Sequence, residues 1–140
     1  MVGGQVDDLA WESDQPGERT LELLERLHLR KTGALFRAAL RMGVYAAHAN
    51  KERPDAALLE RFDAYGRCLG LAFQITDDLL DLADEGTEEQ KLTFPALLGV
   101  DASRQRAREL IDGACAAVAV FGPRAVGLDG LARYVLERSI

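Results

Sequence analysis

The chain has 140 residues, 48% of them apolar and 6% aromatic, which suffices for one domain with a modest core. Its formal net charge of −6 at pH 7 argues against a nucleic-acid-binding surface, because such surfaces are basic. Ala, Leu, Glu and Arg dominate and strand-type alternation is absent, so we predict an all-α fold in which residues 1–140 form a single helical unit.

The compartment is predicted from the cysteines and from the absence of targeting signals. Cys68 and Cys115 lie in apolar helical contexts, which is typical of buried free thiols in a reducing compartment. The sequence shows no basic N-terminal signal and no apolar run of about 18 residues, the length that a membrane span needs. We therefore expect a cytoplasmic protein without a membrane span.

The first third of the chain reads as three helices. The first covers residues 1–10 and is followed by a polar connection over 12–17. Thr20 is placed to cap the second helix, and Gly33 predicts a turn or a kink before the third. The third helix is expected to pack through one apolar face: Leu35, Ala38, Ala39, Met42 and Ala46.

The remainder reads as one long helix followed by shorter ones. After a break over 50–54, the long helix is predicted over 55–83, and an acidic exposed connection follows over 84–90. Thr93 is expected to cap a short helical turn that ends at Gly99. A helix from Asp101 or Ser103 to about Phe121 comes next, then a break at Gly122-Pro123, then a last helix ending at Arg138. The prediction is a bundle of about six helices.

The long helix carries an unusual polar stripe. Gln74, Asp77, Asp78 and Asp81 fall within about 100° of arc at helical spacing, on a helix that is otherwise apolar. Like charges three and four residues apart repel, so a sequence that keeps them together often serves a cation. Oxygen ligands suit a hard ion such as Mg²⁺, which also binds substrate phosphates. The alternative is a solvated acidic face.

A second candidate position is Lys31-Thr32, near a helix start. A lysine beside a hydroxyl at that place suits a phosphate group, through its charge and through the free N–H groups of the helix N-terminus. The alternative to a phosphate-binding role for Lys31 is an ordinary surface lysine. For Phe73, which directly precedes the polar stripe, the alternative to a functional role is a core aromatic side chain.

Four segments, in the right order, resemble motifs of one enzyme family, the trans-isoprenyl diphosphate synthases of the farnesyl and geranylgeranyl type (polyprenyl synthetases). Phe73-Gln74-x-x-Asp77-Asp78-x-x-Asp81 is similar to the second aspartate-rich motif of that family. The other three resemble its Gly-Gly-Gln, Lys-Thr and Lys-x-Thr-Tyr-Pro segments: 1–5, 31–35 and 91–99. The matches correspond only to the C-terminal half of the family's helical fold.

The resemblance implies a role for each matching residue. Lys31 would bind the allylic diphosphate, and the backbone around Lys31-Thr32, together with Gln74 on the facing helix, would stabilise the carbocation. Phe73 would contact the isopentenyl group, and Lys91 would approach the diphosphate.

The resemblance also implies a metal site and a reaction. Asp77 and Asp81, completed by Asp78, would bind Mg²⁺, and Arg138 sits where the family's tail closes over the substrate. The reaction implied is the condensation of isopentenyl diphosphate with an allylic diphosphate, through ionisation of the latter. The protein would contribute positioning and electrostatic stabilisation.

Two departures from the family pattern lead to three hypotheses. The first aspartate-rich motif is missing, and the connection over 85–90 is shortened. We therefore expect the chain to be inactive alone and to act as the C-terminal subunit of a prenyltransferase, with a separately encoded N-terminal half. The alternatives are a non-catalytic regulatory subunit and a truncated remnant that forms a helical homodimer, which would cover the apolar surface left by half a cavity.

Overall fold

The computed structural model describes residues 20–50, 52–85 and 92–138, which contain helices and no strand. The helix predicted over 1–10 lies outside these residues. The observed helices are α1 (Leu21–His28), α2 (Ala34–Ala47), α3 (Ala56–Glu85), α4 (Phe94–Leu98), α5 (Val100–Val118) and α6 (Val126–Glu137).

The long helix α3 is the centre of the fold. It contacts α2, α4, α5 and α6, and its most extensive packing is against α5. Tyr65, Leu69 and Ile75 are almost completely buried on its core side, facing small and branched residues of α5 such as Ile111 and Ala114. The long helix predicted over 55–83 is therefore confirmed, because its apolar residues have neighbours on several sides.

The chain passes from α1 to α2 without a break. Thr20 caps α1, its Oγ1 accepting a hydrogen bond of 3.3 Å from the N–H of Leu23, as predicted. At Leu29–Gly33 the helix widens into a π-helical turn. Gly33 has helical torsion angles, so the predicted turn or kink is replaced by this wider turn. Single π turns inside α-helices are frequent at functional sites, and this one contains Lys31 and Thr32.

The C-terminal elements begin and end close to the predicted residues. The Oγ1 of Thr93 accepts from the N–H of Ala96 at 3.3 Å and caps α4, and Gly99 ends that helix with a φ of 82°. Gly122, with a φ of 55°, breaks the chain between α5 and α6. The buried hydroxyl of Tyr65 donates a 2.7 Å hydrogen bond to the carbonyl of Leu128 and so fixes α6 to α3.

The packing face predicted for α2 is wrong. The predicted face is open: Leu35 is 53% exposed and Met42 66% exposed, and Ala38, Ala39 and Ala46 are exposed as well. The opposite side packs on the core, through the partly buried Phe36 and Leu40 and the buried Val44. Glycines on α3 select this side: a Cβ on Gly66 would lie 2.9 Å from a Leu40 methyl group. The helix is apolar on two sides, and among the described residues only one of them has a neighbour.

Asp63 is a buried charge that joins α2 to α3. Its side chain is 3% exposed. Its carboxylate accepts from Arg41 Nε at 2.8 Å and from Arg37 Nη2 at 3.0 Å. The hydrogen bonds from Arg41, opposed by burial and reinforced by Arg37, lower the pKa of Asp63 from 3.8 to about 2.

One stretch of the described residues, Val100–Glu137, is long and apolar enough by composition to cross a membrane, with an 18-residue window of mean hydropathy 1.4. Such a window is weak evidence for a membrane span, because core helices of soluble proteins meet the same criterion. The stretch consists of two helices separated by the break at Gly122, and its side chains Ile111 and Val135 belong to the core. This arrangement is weakly consistent with the predicted absence of a membrane span.

We predict that Asp63→Asn lowers the free energy of unfolding by about 2–3 kcal/mol at neutral pH, because two guanidinium groups lose their common carboxylate. The folded-state pKa lies below the unfolded one, so the contribution of Asp63 is fully present above about pH 4 and is lost as the pH falls through about 2. The free energy of unfolding of the wild type, measured with urea, should fall by about 2 kcal/mol between about pH 4 and pH 2 because of this group. The free energy of unfolding of Asp63→Asn should not show this loss.

The matched control is Glu60→Gln on the same helix. Glu60 is exposed and pairs with Arg67 at 2.8 Å, so its loss should change stability by well under about 1 kcal/mol. Equal effects of the two substitutions would contradict the special role of Asp63.

Candidate functional site

The structure brings the π-helical turn against the polar stripe of α3. The hydroxyl of Thr32 donates a 3.1 Å hydrogen bond to Oε1 of Gln74, 42 residues further along the chain. Gly70 makes this possible, since a Cβ on it would lie 2.9 Å from the Cα of the buried Gly33. Lys31, half-buried in the same turn, is held next to Thr32 by the backbone. Three residues predicted to act on one substrate therefore lie on two elements in direct contact.

An apolar region adjoins these polar groups. The ring of Phe73 lies 5.8 Å from that of Phe36, centroid to centroid, and so joins α3 to α2. Phe36 also lines a cavity of about 810 Å³, within the range of small-molecule sites. Leucine and aromatic residues line most of it, among them Leu40, Phe62, Leu69, Phe121 and Leu128. Phe36 was not predicted as part of the site, because nothing in its local sequence separates it from a core aromatic residue.

The three aspartates of the stripe differ in their surroundings. Asp77 is partly exposed and Asp81 exposed, one helical turn apart. Asp78 is buried, 6% exposed, and its Oδ2 accepts a 3.0 Å hydrogen bond from the N–H of Phe94, the first residue of α4. Asp78 therefore fixes the start of α4 to α3, a role that the motif alone does not reveal.

The donor set suits a hard cation in part. Asp77 and Asp81 offer carboxylate oxygens from one helix face, and Mg²⁺ often binds through one or two carboxylates while substrate phosphates and water complete its shell. Within residues 20–50, 52–85 and 92–138, no group of three His, Cys, Asp or Glu side chains is arranged to hold a metal. A full metal shell would need ligands from a substrate or from another part of the protein.

The C-terminal end of α6 contacts the same face of α3. The guanidinium carbon of Arg138 lies 4.8 Å from the centroid of the Phe73 ring, and its Nη2 lies 3.6 Å from Oδ1 of Asp77. Lys91 lies outside the described residues, so its contact with a diphosphate stays a prediction.

The two histidines take part in helix packing and capping. Nδ1 of His48 lies 2.8 Å from the carbonyl oxygen of Val44, at the end of α2, and the ring of His28 stacks on Phe94 at 5.5 Å. Cys68 and Cys115 are free and half-buried, and burial, together with Asp129, raises the pKa of Cys115 to about 11.

Comparison with known proteins connects the geometry with one family. The family model described as polyprenyl synthetase matches residues 1–116. The chain is 39% identical to farnesyl diphosphate synthase of Escherichia coli (strain K12), over 99% of this chain and 48% of that protein. It is 36% identical to geranylgeranyl diphosphate synthase of Cyanophora paradoxa, over 99% of this chain and 47% of that protein.

Solved structures agree with the sequence matches. An FPP/GFPP synthase from Zymomonas mobilis superposes with a TM-score of 0.82 at 41% identity, over 96% of this chain and 45% of that one. A geranyltransferase from Helicobacter pylori, complexed with magnesium and isoprenyl diphosphate, gives 0.73 at 28% identity, over 98% of this chain and 46% of that one. The chain thus spans about half the length of the relatives it matches.

We predict that the aspartates of the stripe separate into two classes on substitution. Asp78→Ala should lower the free energy of unfolding by about 1–3 kcal/mol, because the buried N–H of Phe94 loses its acceptor. Asp77→Ala should cost less than about 1 kcal/mol, because its contact with Arg138 is a partly exposed ion pair. Urea unfolding of both variants measures the difference, and equal losses would contradict the assignment of Asp78 to the start of α4.

Proposed function

The chain belongs to the polyprenyl synthetase family, and from this membership we propose that it supplies the C-terminal half of the active site of a prenyl diphosphate synthase. The observation that carries the proposal is the hydrogen bond between Thr32 and Gln74, which joins the Lys-Thr turn to the aspartate stripe. The relatives bear names of farnesyl and geranylgeranyl diphosphate synthases. The proposed reaction is the condensation of isopentenyl diphosphate with an allylic diphosphate.

In this proposal the π-helical turn holds the allylic substrate. Lys31 binds the diphosphate by its charge. The oxygens of Thr32 and Gln74 lie on the hydrocarbon side of that group, where positive charge develops as the bond to the diphosphate breaks. Fixed dipoles that face developing charge lower the barrier without reorganising. The hydrogen bond between the two side chains keeps these oxygens in place, and Phe73 provides an apolar surface for the isopentenyl group.

Asp77 and Asp81 would hold Mg²⁺ opposite the turn. When bound, the ion would neutralise the charge of the departing pyrophosphate. Asp77 is partly exposed and Asp81 exposed, so a diphosphate from solvent can reach both carboxylates. Asp78 orients α4 in this proposal, and its separate contribution as a ligand stays a prediction.

We further propose that the open face of α2 is the docking surface for the complementary helical half of the fold, separately encoded. Leu35, Met42 and Tyr45 are 53%, 66% and 49% exposed and recur at helical spacing, as on a helix that packs on both sides. The chain covers 48% of the Escherichia coli synthase and 45% of the Zymomonas mobilis synthase, so these relatives contain further helices of the same fold. Leu35 follows Thr32 by less than one helical turn, so a partner on this face reaches the site.

We predict that the chain, co-expressed with the reading frame directly upstream and purified by a tag on this chain alone, yields Mg²⁺-dependent condensation activity. Asp77→Ala or Asp81→Ala should lower kcat at least about 100-fold, because the departing charge loses its counter-ion. Radiolabelled isopentenyl diphosphate and an allylic diphosphate serve as substrates, and product length is read from the same assay.

Asp101→Ala is the matched control, an exposed aspartate in the first turn of α5, and should leave kcat unchanged. A co-purified complex whose activity does not respond to Asp77→Ala would contradict the catalytic proposal and favour a regulatory subunit. A complex without activity would contradict it as well.

We also predict that Met42→Glu weakens association with the complementary half at least tenfold. A carboxylate placed in an apolar contact loses its hydration without gaining a partner. Co-purification yield and sedimentation velocity measure the effect.

Val100→Glu is the control, a partly exposed residue on α5, which is not in contact with α2 among the described helices. If sedimentation instead shows a homodimer of this chain that Met42→Glu dissociates, the partner on this face is a second copy and the proposed occupant is wrong.

A further inference from the structure

Arg138, the residue that follows α6, lies against the part of α3 that bears Asp77. Its Nη2 is 3.6 Å from Oδ1 of Asp77, and its guanidinium lies over the Phe73 ring at 4.8 Å. Both distances fall within the ranges of ion pairs and cation–π contacts. Two independent contacts therefore hold one cationic group at this position.

The contact with Asp77 has the geometry of an exchangeable pair. Charge-assisted hydrogen bonds between N–H donors and carboxylates are about 2.7–2.9 Å long, whereas this pair is longer and its members remain 28% and 43% exposed. By contrast, Arg41 Nε lies 2.8 Å from the buried carboxylate of Asp63. The structure thus contains one aspartate whose arginine partner is fixed and another whose partner is only loosely held.

We propose that Arg138 is a built-in counter-cation for Asp77, which competes with a divalent metal ion for that carboxylate. This inference rests on the proposed function, because it takes Asp77 as a metal ligand. A guanidinium and a divalent ion on the same carboxylate repel each other, so binding of the ion favours release of Arg138. By linkage, the ion pair weakens metal binding as much as metal binding weakens the ion pair, so removal of Arg138 strengthens metal binding.

The contact with Phe73 couples the metal to the apolar part of the site. While Arg138 lies over the ring, one face of Phe73 is covered by the guanidinium and is closed to an apolar ligand. Release of Arg138 from Asp77 removes one of its two anchors and so favours exposure of the ring. The end of α6 therefore acts as a latch that the cation opens.

Arg133 provides the matched control on the same helix. It carries the same charge, but its ion pair, at 2.8 Å, is with Asp129 one turn away on α6 itself. Arg133→Gln removes one positive charge from α6 but leaves the pair between Arg138 and Asp77 intact.

The experiment measures Mn²⁺ binding to the full 140-residue chain, by the electron paramagnetic resonance signal of the free ion. Arg138→Gln should tighten binding about 1.5- to 5-fold, the factor expected from a partly exposed ion pair. Phe73→Leu should tighten it by a smaller factor, because it removes only the second anchor. Arg133→Gln should leave the dissociation constant within about 1.3-fold of wild type, since distant exposed charges are screened.

A second measurement follows the side-chain Nε–H resonance of Arg138 by NMR while Mg²⁺ is added. The resonance should shift with the same midpoint as metal binding, whereas that of Arg133 should not. Equal Mn²⁺ affinity of Arg138→Gln and Arg133→Gln, or an Arg138 resonance that ignores Mg²⁺, overturns the competition and leaves the proposed metal site standing. Absence of Mn²⁺ binding to wild type and to Arg138→Gln overturns the competition, and the condensation assay on the complex then decides the proposed function.

Discussion

The site depends on one close backbone contact, between Gly33 in the π-helical turn and Gly70 on α3. No other residue type fits at Gly70 without moving the backbone of the turn, since its Cβ would lie 2.9 Å from the Cα of Gly33. The absence of a side chain at Gly70 lets the helices approach closely enough for Thr32 and Gln74 to share a hydrogen bond. The wider helical turn presents Lys31 beside them. The chemistry proposed for the site is thus a consequence of packing between two glycines.

Helix α3 carries aspartates of two kinds, and their surroundings explain the difference. Buried carboxylates need fixed donors, because burial without them is costly. Asp63 has two arginines and Asp78 has a backbone N–H, so both hold neighbouring elements on the core helix. Asp77 and Asp81 lie towards solvent and can exchange partners. The same residue type therefore fixes the fold at one position and is available to a cation at another.

Much of the fold could be predicted from the sequence because its signals are local. Thr20 and Thr93 act as helix caps through their own hydroxyls, and Gly122 breaks the chain through its backbone freedom. The family resemblance rests on four short motifs in order along the chain, and the family match over residues 1–116 confirms it.

Prediction from the sequence fails where a residue distant along the chain determines the structure. The packing face predicted for α2 is wrong because that helix is apolar on two sides, and periodicity does not say which side meets a neighbour. The burial of Asp78 depends on the position of α4, 16 residues away along the chain. Arg37 and Arg41 could not be assigned to Asp63 for the same reason, since nothing in local spacing connects them.

The outer face of α2 and the loosely paired Asp77 have a common physical origin. A helix that is apolar on two sides reaches its full stability when both sides are covered. A carboxylate beside a neighbour of like charge is stabilised when a cation is present. Among the described residues the outer face of α2 stays uncovered, whereas Asp77 has a cationic partner in Arg138 of the same chain. Covering Leu35 would bring new side chains within one turn of Thr32, next to the groups that would receive a diphosphate. Association and cation binding would therefore act on adjacent parts of one surface.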